Sequence, residues 1–283
     1  MVPFVNIIAR RSPPWTQDGE VGYLTLVAHY DSKLSPEGFI GAIDSAAPCA
    51  MLMHAARALE PALTRKWDSM TKVGMKMEDY AGDVEEHMGL QILFLDGEEA
   101  FGDWSDADSI WGAKSLAEAM ENEIHPALST YKNQLTSIEL FMLLDLLGDK
   151  GPLVPSYYKT THWAYKHLHD IAVRLDEEGK SETKSVGQWL PDWKKSDETV
   201  WYGGGIGDDH LPFQERGVEV LHVIPSPFPI HLWHKIEDDG EHLDIPTCKD
   251  WAVLVTAFAA EWLDLEGFVN GHNKERGRKR DEL

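Results

Sequence analysis

Short apolar runs alternate with amphipathic stretches along most of the chain. Runs rich in β-formers predict buried strands at 22–29, 90–95, 140–147 and 218–224. Stretches with helix-forming composition or helical spacing predict helices at 45–60, 111–122, 162–177 and 247–265. Strands that alternate with helices indicate an α/β protein, a three-layer α/β/α domain around a mixed, mostly parallel sheet.

The segments outside this pattern set the expected domain limits. Residues 1–269 are expected to form a single catalytic domain. Within it, residues 66–88 are polar and without clear period, which predicts an exposed insertion loop. The polar segment 270–283 is expected to be a disordered tail. At the start of the first helix, Ser45 is the predicted N-cap.

Charge narrows the range of partners. The chain carries 26 Lys and Arg against 48 Asp and Glu, a formal net charge of −22. Such a field repels phosphate groups, so we expect no nucleic-acid partner and no anionic membrane partner. No run approaches the roughly 20 apolar residues that span a bilayer. We expect a chain that acts as a monomer on neutral or cationic substrates.

The sequences at the two ends of the chain bear on its location in the cell. The last four residues, Arg280 to Leu283, are similar to the tails that receptors read as an endoplasmic-reticulum retention address. We therefore expect the endoplasmic-reticulum lumen, with a retention receptor as a partner. The first ten residues lack the layout of a signal peptide, so we expect a trimmed or mis-assigned N-terminus.

Polar residues follow the predicted strands at the points where the strands end. The clusters are His29 to Ser32, Asp44 and Ser45, Asp96 to Glu99, Asp145, Asp208 to His210, and Trp233 with His234. Functional groups collect at the carboxyl ends of the strands in such a sheet. One cluster would carry little information, but together they predict a common site.

The residue types in these clusters suit a metal ion. Asp, Glu and His side chains bind zinc, and three protein ligands with one open position form the catalytic arrangement. Cobalt and manganese remain open alternatives for such ligands. The neighbours Glu98 and Glu99 point in different directions, so one can bind the metal while the other transfers protons near neutral pH. Acids that complement a helix dipole would account for only one of the two.

Six motifs and a Trp-His pair resemble animal-type glutaminyl cyclases, in the same order along the chain. They are Ala28–Lys33, Gly41–Cys49, Phe94–Phe101, Leu143–Gly148, Asp208–Phe213, His222–Pro229 and Trp233–His234. Any one of them alone would indicate only the wider zinc aminopeptidase-like fold family. Together they imply a glutaminyl-peptide cyclotransferase, which converts an N-terminal glutamine, or glutamate, of peptides and proteins into pyroglutamate; from glutamine it releases ammonia.

The resemblance also implies a role for each matching residue. Asp44, Glu99 and His234 would bind one zinc ion per chain, and Glu98 would be the general acid and base. Asp145 and Asp208 would form a hydrogen-bonded acidic pair beside Glu98. The substrate pocket would be lined by Trp104, Trp233 and Phe228, with His29 close to the metal without binding it and His222 supporting the site.

The chain departs from the family pattern at three places. Ala28 stands where the family commonly has a cysteine that pairs with the one at Cys49, so Cys49 is expected to be a small buried thiol; its pairing with Cys248 is left open. The segment 229–232 is one residue longer than usual, which makes His231 a competitor of His234. The loop 66–88 is unmatched.

Two other functions remain open. A dinuclear zinc aminopeptidase of the same fold could use the ligand set His29, Asp44, Glu99, Asp145 and His234, with Glu98 activating a water. A non-catalytic lumenal binding protein is the weaker alternative, because neither Glu98 nor any of the three implied ligands is replaced.

Overall fold

One five-stranded sheet forms the centre of the molecule. The computed structural model describes residues 3–72, 87–196, 198–199, 201 and 205–269. The strands are β1 (Ile7–Arg11), β2 (Gly22–His29), β3 (Met88–Leu95), β4 (Ile138–Leu144) and β5 (Val220–Val223). Their order is β1-β3-β2-β4-β5, with β1 antiparallel to β3 and every other pair parallel. The predicted mixed, mostly parallel sheet is confirmed.

The helices connect these strands and cover the sheet. They are α1 (Ala47–Lys72), α2 (Trp111–Asn122), α3 (His162–Glu177), the short α4 (Leu211–Gln214) and α5 (Ile245–Trp262). A one-turn π-helix, Ala42–Ala46, precedes α1, and two 3-10 turns, Val186–Trp189 and Pro191–Lys194, follow α3. Among the residues described, no helix is both long enough and apolar enough to cross a membrane.

Alternation along the strands builds the three layers. In β4, Leu140 and Met142 pack into the larger core with α1, α3 and α5, whereas Phe141 and Leu143 pack into the smaller core with α2 and α4. Successive side chains of a strand point to opposite faces, so a strand buried on both faces must be apolar throughout. This is why β2 and β4 stand out in the sequence as continuous apolar runs.

Several predicted boundaries differ from the structure. The helix predicted at 45–60 continues to Lys72, so residues 66–72 are helical rather than part of a loop, while 73–86 lie outside the described residues. The strand predicted at 140–147 ends at Leu144, which places Asp145 just past its carboxyl end. The edge strand β1 was not predicted because all five of its residues are exposed, so it has no buried face to show as alternation.

Candidate active site

The carboxyl ends of the parallel strands bring the predicted polar clusters to one edge of the sheet. His29 is the last residue of β2, Asp96 follows β3 and Asp145 follows β4. Asp44 lies in the π-helical turn before α1, and His234 lies in the loop after β5. His29, Asp44 and Asp145 are buried, whereas Asp96 and His234 are partly exposed. The centre of the site is therefore a desolvated cluster of ionisable groups.

Two sets of hydrogen bonds fix the loop that carries the paired glutamates. The backbone N–H groups of Ile110, Trp111 and Gly112, at the start of α2, donate to the carbonyls of Glu98, Gly97 and Asp96 at 2.9, 2.7 and 3.0 Å. A Cβ at Gly112 would lie 2.1 Å from the Asp96 oxygen, so only glycine allows this approach. These acids precede α2 by more than ten residues, so helix capping does not explain them.

Asp31 holds the same loop from the other side. Its two carboxylate oxygens accept hydrogen bonds from the backbone N–H groups of Glu98 and Glu99, both at 3.1 Å. Each glutamate is therefore anchored at its backbone while its side chain remains available. The sequence placed Asp31 in the cluster after β2 but assigned it no role, because its contact with residues 67 and 68 positions away is a tertiary one.

Asp44, Glu99 and His234 converge as one potential metal-binding group. Their nearest ligand atoms lie within 4.8 Å of one another, with His234 Nε2 at 3.4 Å from Asp44 Oδ2 and 3.6 Å from Glu99 Oε2. His234 adopts a left-handed backbone (φ +56°), a conformation that costs a non-glycine residue energy and is concentrated at functional sites.

The donor atoms of this group fit a divalent cation. Asp44 Oδ2 and Glu99 Oε1 are buried, and neither has a hydrogen-bond partner among the described residues. Burial, reinforced by the charge of Asp44, raises the pKa of Glu99 to about 8. Buried acceptors without donors are costly unless a cation satisfies them, and two carboxylates with one imidazole are a suitable zinc ligand set.

His29 lies beside this group with both ring nitrogens near oxygen atoms. Its Nδ1 is 3.1 Å from the carbonyl oxygen of Asp31, and its Nε2 is 3.1 Å from Asp44 Oδ1 and 3.3 Å from Asp145 Oδ1. Burial lowers the pKa of His29, but the hydrogen bonds to Asp145, Asp31 and Asp44 outweigh it and raise the pKa well above its usual value. These contacts favour the protonated form of this buried ring, which lies between carboxylates.

Glu98 has the environment of a proton-transfer group. Its side chain is 6% exposed, and burial raises its pKa well above the usual range. The nearby charge of His29 opposes this shift, whereas those of Asp208, Asp209 and Asp145 reinforce it. A carboxyl group with a raised pKa can both accept and return a proton near neutral pH.

Asp145 and Asp208 flank Glu98 and differ in their partners. Asp145 accepts hydrogen bonds from the Ser45 hydroxyl and the Leu146 N–H, and contacts with His29 hold its pKa below the usual range despite burial. Ser45 therefore binds Asp145 rather than capping α1. Burial and the charge of Asp145 raise the pKa of Asp208 well above normal. A direct hydrogen bond between the two carboxyl groups stays a prediction.

A pair of buried histidines, His222 and His210, lies next to Asp208. Asp208 Oδ2 is 2.7 Å from Nε2 of His222, whose pKa burial lowers to about 4. The His222 ring lies 4.3 Å from the ring of His210, and His210 Nε2 is 2.6 Å from the Tyr158 hydroxyl. His210 and Tyr158 received no role from the sequence; the only signal was the position of His210 in the Asp208–Phe213 motif.

Of the three predicted pocket aromatics, Phe228 and Trp233 lie beside His234, and Trp104 lies beside Gly207. Phe228 and Trp233 pack edge to face with ring centroids 4.9 Å apart, and Trp233 lies 4.4 Å from the His234 ring. Trp104 is 43% exposed, which excludes a core role. Its indole lies against Gly207, where a Cβ would come within 3.1 Å of Nε1, directly before Asp208.

The departures from the family pattern leave the site intact. His231, the competitor of His234, is 63% exposed at its side chain and lies 3.4 Å from Asp149. Cys49 and Cys248 are both free thiols. Cys49 Sγ donates to the carbonyl of His29 at 3.1 Å, and burial raises its pKa to about 11, so it is an unreactive thiol.

Asp209 is a further site residue that the sequence left without a role. It is fully buried, neither carboxylate oxygen has a hydrogen-bond partner among the described residues, and burial raises its pKa well above normal. Its charge adds to the field that acts on Glu98.

Comparison with known proteins relates this geometry to a family. The model of peptidase family M28 matches residues 6–259. The chain is 37% identical to the glutaminyl-peptide cyclotransferase of Bos taurus, over 93% of this chain and 67% of the relative. It is also 39% identical to an uncharacterized protein of Saccharomyces cerevisiae, over 87% of this chain and 68% of that one.

Among solved structures, the glutaminyl cyclase of Macrostomum lignano superimposes with a TM-score of 0.72 at 31% identity, covering 92% of this chain and 72% of that one. The chain spans about two thirds of the length of the curated relatives it matches, 66% to 68% for the first four. The chain belongs to peptidase family M28 and, within it, to the glutaminyl-peptide cyclotransferase family.

Proposed function

We propose that this site cyclises the N-terminal glutamine of peptides and proteins to pyroglutamate and releases ammonia. The observation that carries the proposal is the juxtaposition of Glu98, a buried carboxyl group with a raised pKa, and the metal-binding group of Asp44, Glu99 and His234. The relatives named glutaminyl-peptide cyclotransferase support the same reaction.

The metal is proposed to be a single zinc ion held by Asp44, Glu99 and His234. Bound there, it would supply a Lewis acid that polarises the γ-carbonyl of the substrate glutamine. The half-buried ring of Trp233, adjacent to His234 and packed on Phe228, gives the glutamine side chain an apolar wall. Trp104 is the exposed wall on the Asp208 side.

Glu98 transfers a proton from the attacking amine to the leaving group. The α-amine of the substrate attacks its own γ-carbonyl carbon, and Glu98 takes a proton from the nitrogen as the new C–N bond forms. The same carboxyl group returns that proton to the departing amide nitrogen, which leaves as ammonia. Because nucleophile and electrophile belong to one residue, the protein mainly orients and polarises them. No water participates, in contrast to the aminopeptidase alternative.

Asp145, Asp208 and His222 are proposed to orient Glu98 and tune its proton affinity. His222 is neutral at physiological pH and holds one oxygen of Asp208. Asp145 is anchored by Ser45 and by the cationic ring of His29. The acidic field on Glu98 is thereby fixed in position, and side-chain reorganisation during proton transfer is small.

The proposal is tested by ammonia release from a Gln-initiated peptide. The purified chain is stripped of metal with a heterocyclic chelator and reloaded separately with zinc, cobalt and manganese. Ammonia release that disappears on stripping and returns with zinc supports the zinc-dependent reaction. Release that persists in the stripped protein would contradict it, and recovery with manganese alone would contradict zinc.

Residence in the endoplasmic-reticulum lumen is a separate proposal, supported by the sequence of residues 280–283, which lie outside the described part of the chain. Its test compares the chain, expressed behind a secretion signal, with a variant in which Leu283 is followed by two glycines. Retention of the first and secretion of the second support the proposal. Equal secretion of both would overturn it.

A further inference from the structure

We propose that a groove beside the site binds the apolar residues that follow the N-terminal glutamine of the substrate. This inference rests on the proposed function, because it extends the same site along the peptide. The groove has a volume of about 270 Å³ and lies between the loop after β4 (146–153) and the loop after β5 (225–231).

The groove is continuous with the proposed glutamine pocket. Phe228 lines the groove and also packs on Trp233, with ring centroids 4.9 Å apart. Trp233 in turn lies 4.4 Å from the ring of His234. Leu146, at the start of the other loop, directly follows Asp145 and packs in the same apolar cluster as Phe228. The rings of Trp233 and Phe228 therefore connect the metal-binding group to the groove.

The walls of the groove are mostly apolar, and several of their side chains are exposed to solvent. Leu153 on one loop is 46% exposed and Ile230 on the other is 70% exposed. Pro152, Pro225, Pro227 and Pro229 add further apolar surface, and Asp149, Lys150 and His231 are the polar residues of the lining. On a chain with a net charge of −22, such a lining favours uncharged apolar side chains over acidic ones.

The two loops are tied together, so the groove is preformed. The N–H of Ser226 donates to the carbonyl of Leu153 at 2.8 Å, and His231 Nε2 lies 3.4 Å from Asp149 Oδ2. Proline fixes its own backbone φ and limits loop motion. A preformed surface loses little entropy when a peptide binds.

The extra residue in segment 229–232 contributes to this wall. Ile230 and His231 belong to that segment and both line the groove. This departure from the usual family pattern thus lies where residues after the glutamine would bind, outside the metal-binding group of Asp44, Glu99 and His234.

The test compares Gln-Leu-Leu-amide with Gln-Ala-Ala-amide in the wild type, in the Leu153→Ala/Ile230→Ala double variant and in Leu128→Ala. Leu128 is fully exposed and does not line the groove, so it is the matched control. We expect the wild type and the control to favour the leucine peptide about 10-fold in kcat/KM, through KM. The double variant should lose this preference while its kcat/KM for the alanine peptide stays unchanged.

The proposal would be overturned if the double variant kept the preference for the leucine peptide. It would also be overturned if kcat/KM fell equally for both peptides. Calorimetric titration with pyroglutamyl-Leu-Leu-amide and pyroglutamyl-Ala-Ala-amide gives a second readout that needs no turnover. Tighter binding of the leucine peptide, lost in the double variant, supports the groove even if no peptide releases ammonia. Absence of ammonia would contradict the proposed function alone, and equal binding of the two peptides by the wild type would overturn the groove.

Discussion

The Nε2 atom of His29 lies 3.1 Å from Oδ1 of Asp44, the oxygen of that carboxylate that is not aimed at His234. The same Nε2 is 3.3 Å from Asp145 Oδ1. In a paired metal site, Asp44 would bridge two cations and His29 with Asp145 would bind the second. Here these contacts raise the pKa of His29, and the protonated ring would supply positive charge at that place.

We therefore predict one metal ion per chain. Elemental analysis of the protein after dialysis against excess zinc should give a single equivalent. Asp44→Asn and His234→Ala should reduce it to a trace, because each removes a ligand of the only metal-binding group that the account uses. Two equivalents in the wild type would contradict this assignment and favour the dinuclear aminopeptidase.

The neighbours Glu98 and Glu99 should fail in different ways when each is replaced by glutamine. Glu98→Gln removes the proton-transfer group, so kcat should fall about 1,000-fold while the zinc content stays at the wild-type level. Glu99→Gln should lose zinc, since it removes a ligand. Parallel measurement of kcat and metal content checks both. Loss of zinc in Glu98→Gln would reverse the two roles.

The pH dependence of kcat/KM should reflect the raised pKa of Glu98. The carboxyl group acts first as a base, so activity falls as pH drops through its pKa, and this acidic limb should lie well above the ordinary value of about 4.3. Asp209→Asn removes a carboxyl group whose ionised form raises this pKa, so the limb should move to lower pH. The exposed Asp18→Asn is the control. A limb that does not move in Asp209→Asn would contradict this account.

Tyr158 should affect catalysis through the histidine pair. Tyr158→Phe removes the hydroxyl that lies 2.6 Å from His210 Nε2 and frees that ring, which packs on His222. We expect roughly a 10-fold loss in kcat with KM and zinc content unchanged. Tyr131→Phe removes an equally short hydrogen bond, to Glu139, away from the site and should leave kcat unchanged. Equal losses in the two variants would indicate a purely structural effect.

The elements that the sequence predicted best are those with a buried face. The bounds of β2, α2 and α3 agree with prediction because each has a clear apolar pattern or composition. The strand β1 was missed because it is exposed, and the first turn of α1 was misplaced because it is tied into the site. The last turns of α1 were missed although Leu63 and Trp67 are buried, since the helix continues through Pro61. Ser45 shows the second case: its type and position suit an N-cap, but its hydroxyl binds Asp145, 100 residues away.

The residues of the site also fall into two groups, those that the sequence could predict and those to which it gave no role. The positions of Glu99 and Asp145, shortly after β3 and β4, could be predicted because sheet topology gathers strand ends, and Asp44 joins them from the turn before α1. Asp31, His210 and Tyr158 could not be given roles, since each acts through a contact between distant segments. Asp209 becomes buried only when distant segments pack around the loop before α4. Its effect on the proton affinity of Glu98 depends on the same packing.

The most direct test of the central claim is mass spectrometry of a Gln-initiated peptide after incubation with the zinc-loaded wild type and with Glu98→Gln. After incubation with the wild type, the peptide should be lighter by the mass of one ammonia and keep every residue, whereas Glu98→Gln should leave the peptide unchanged. Loss of the entire first residue in the wild type would contradict the account and identify an aminopeptidase.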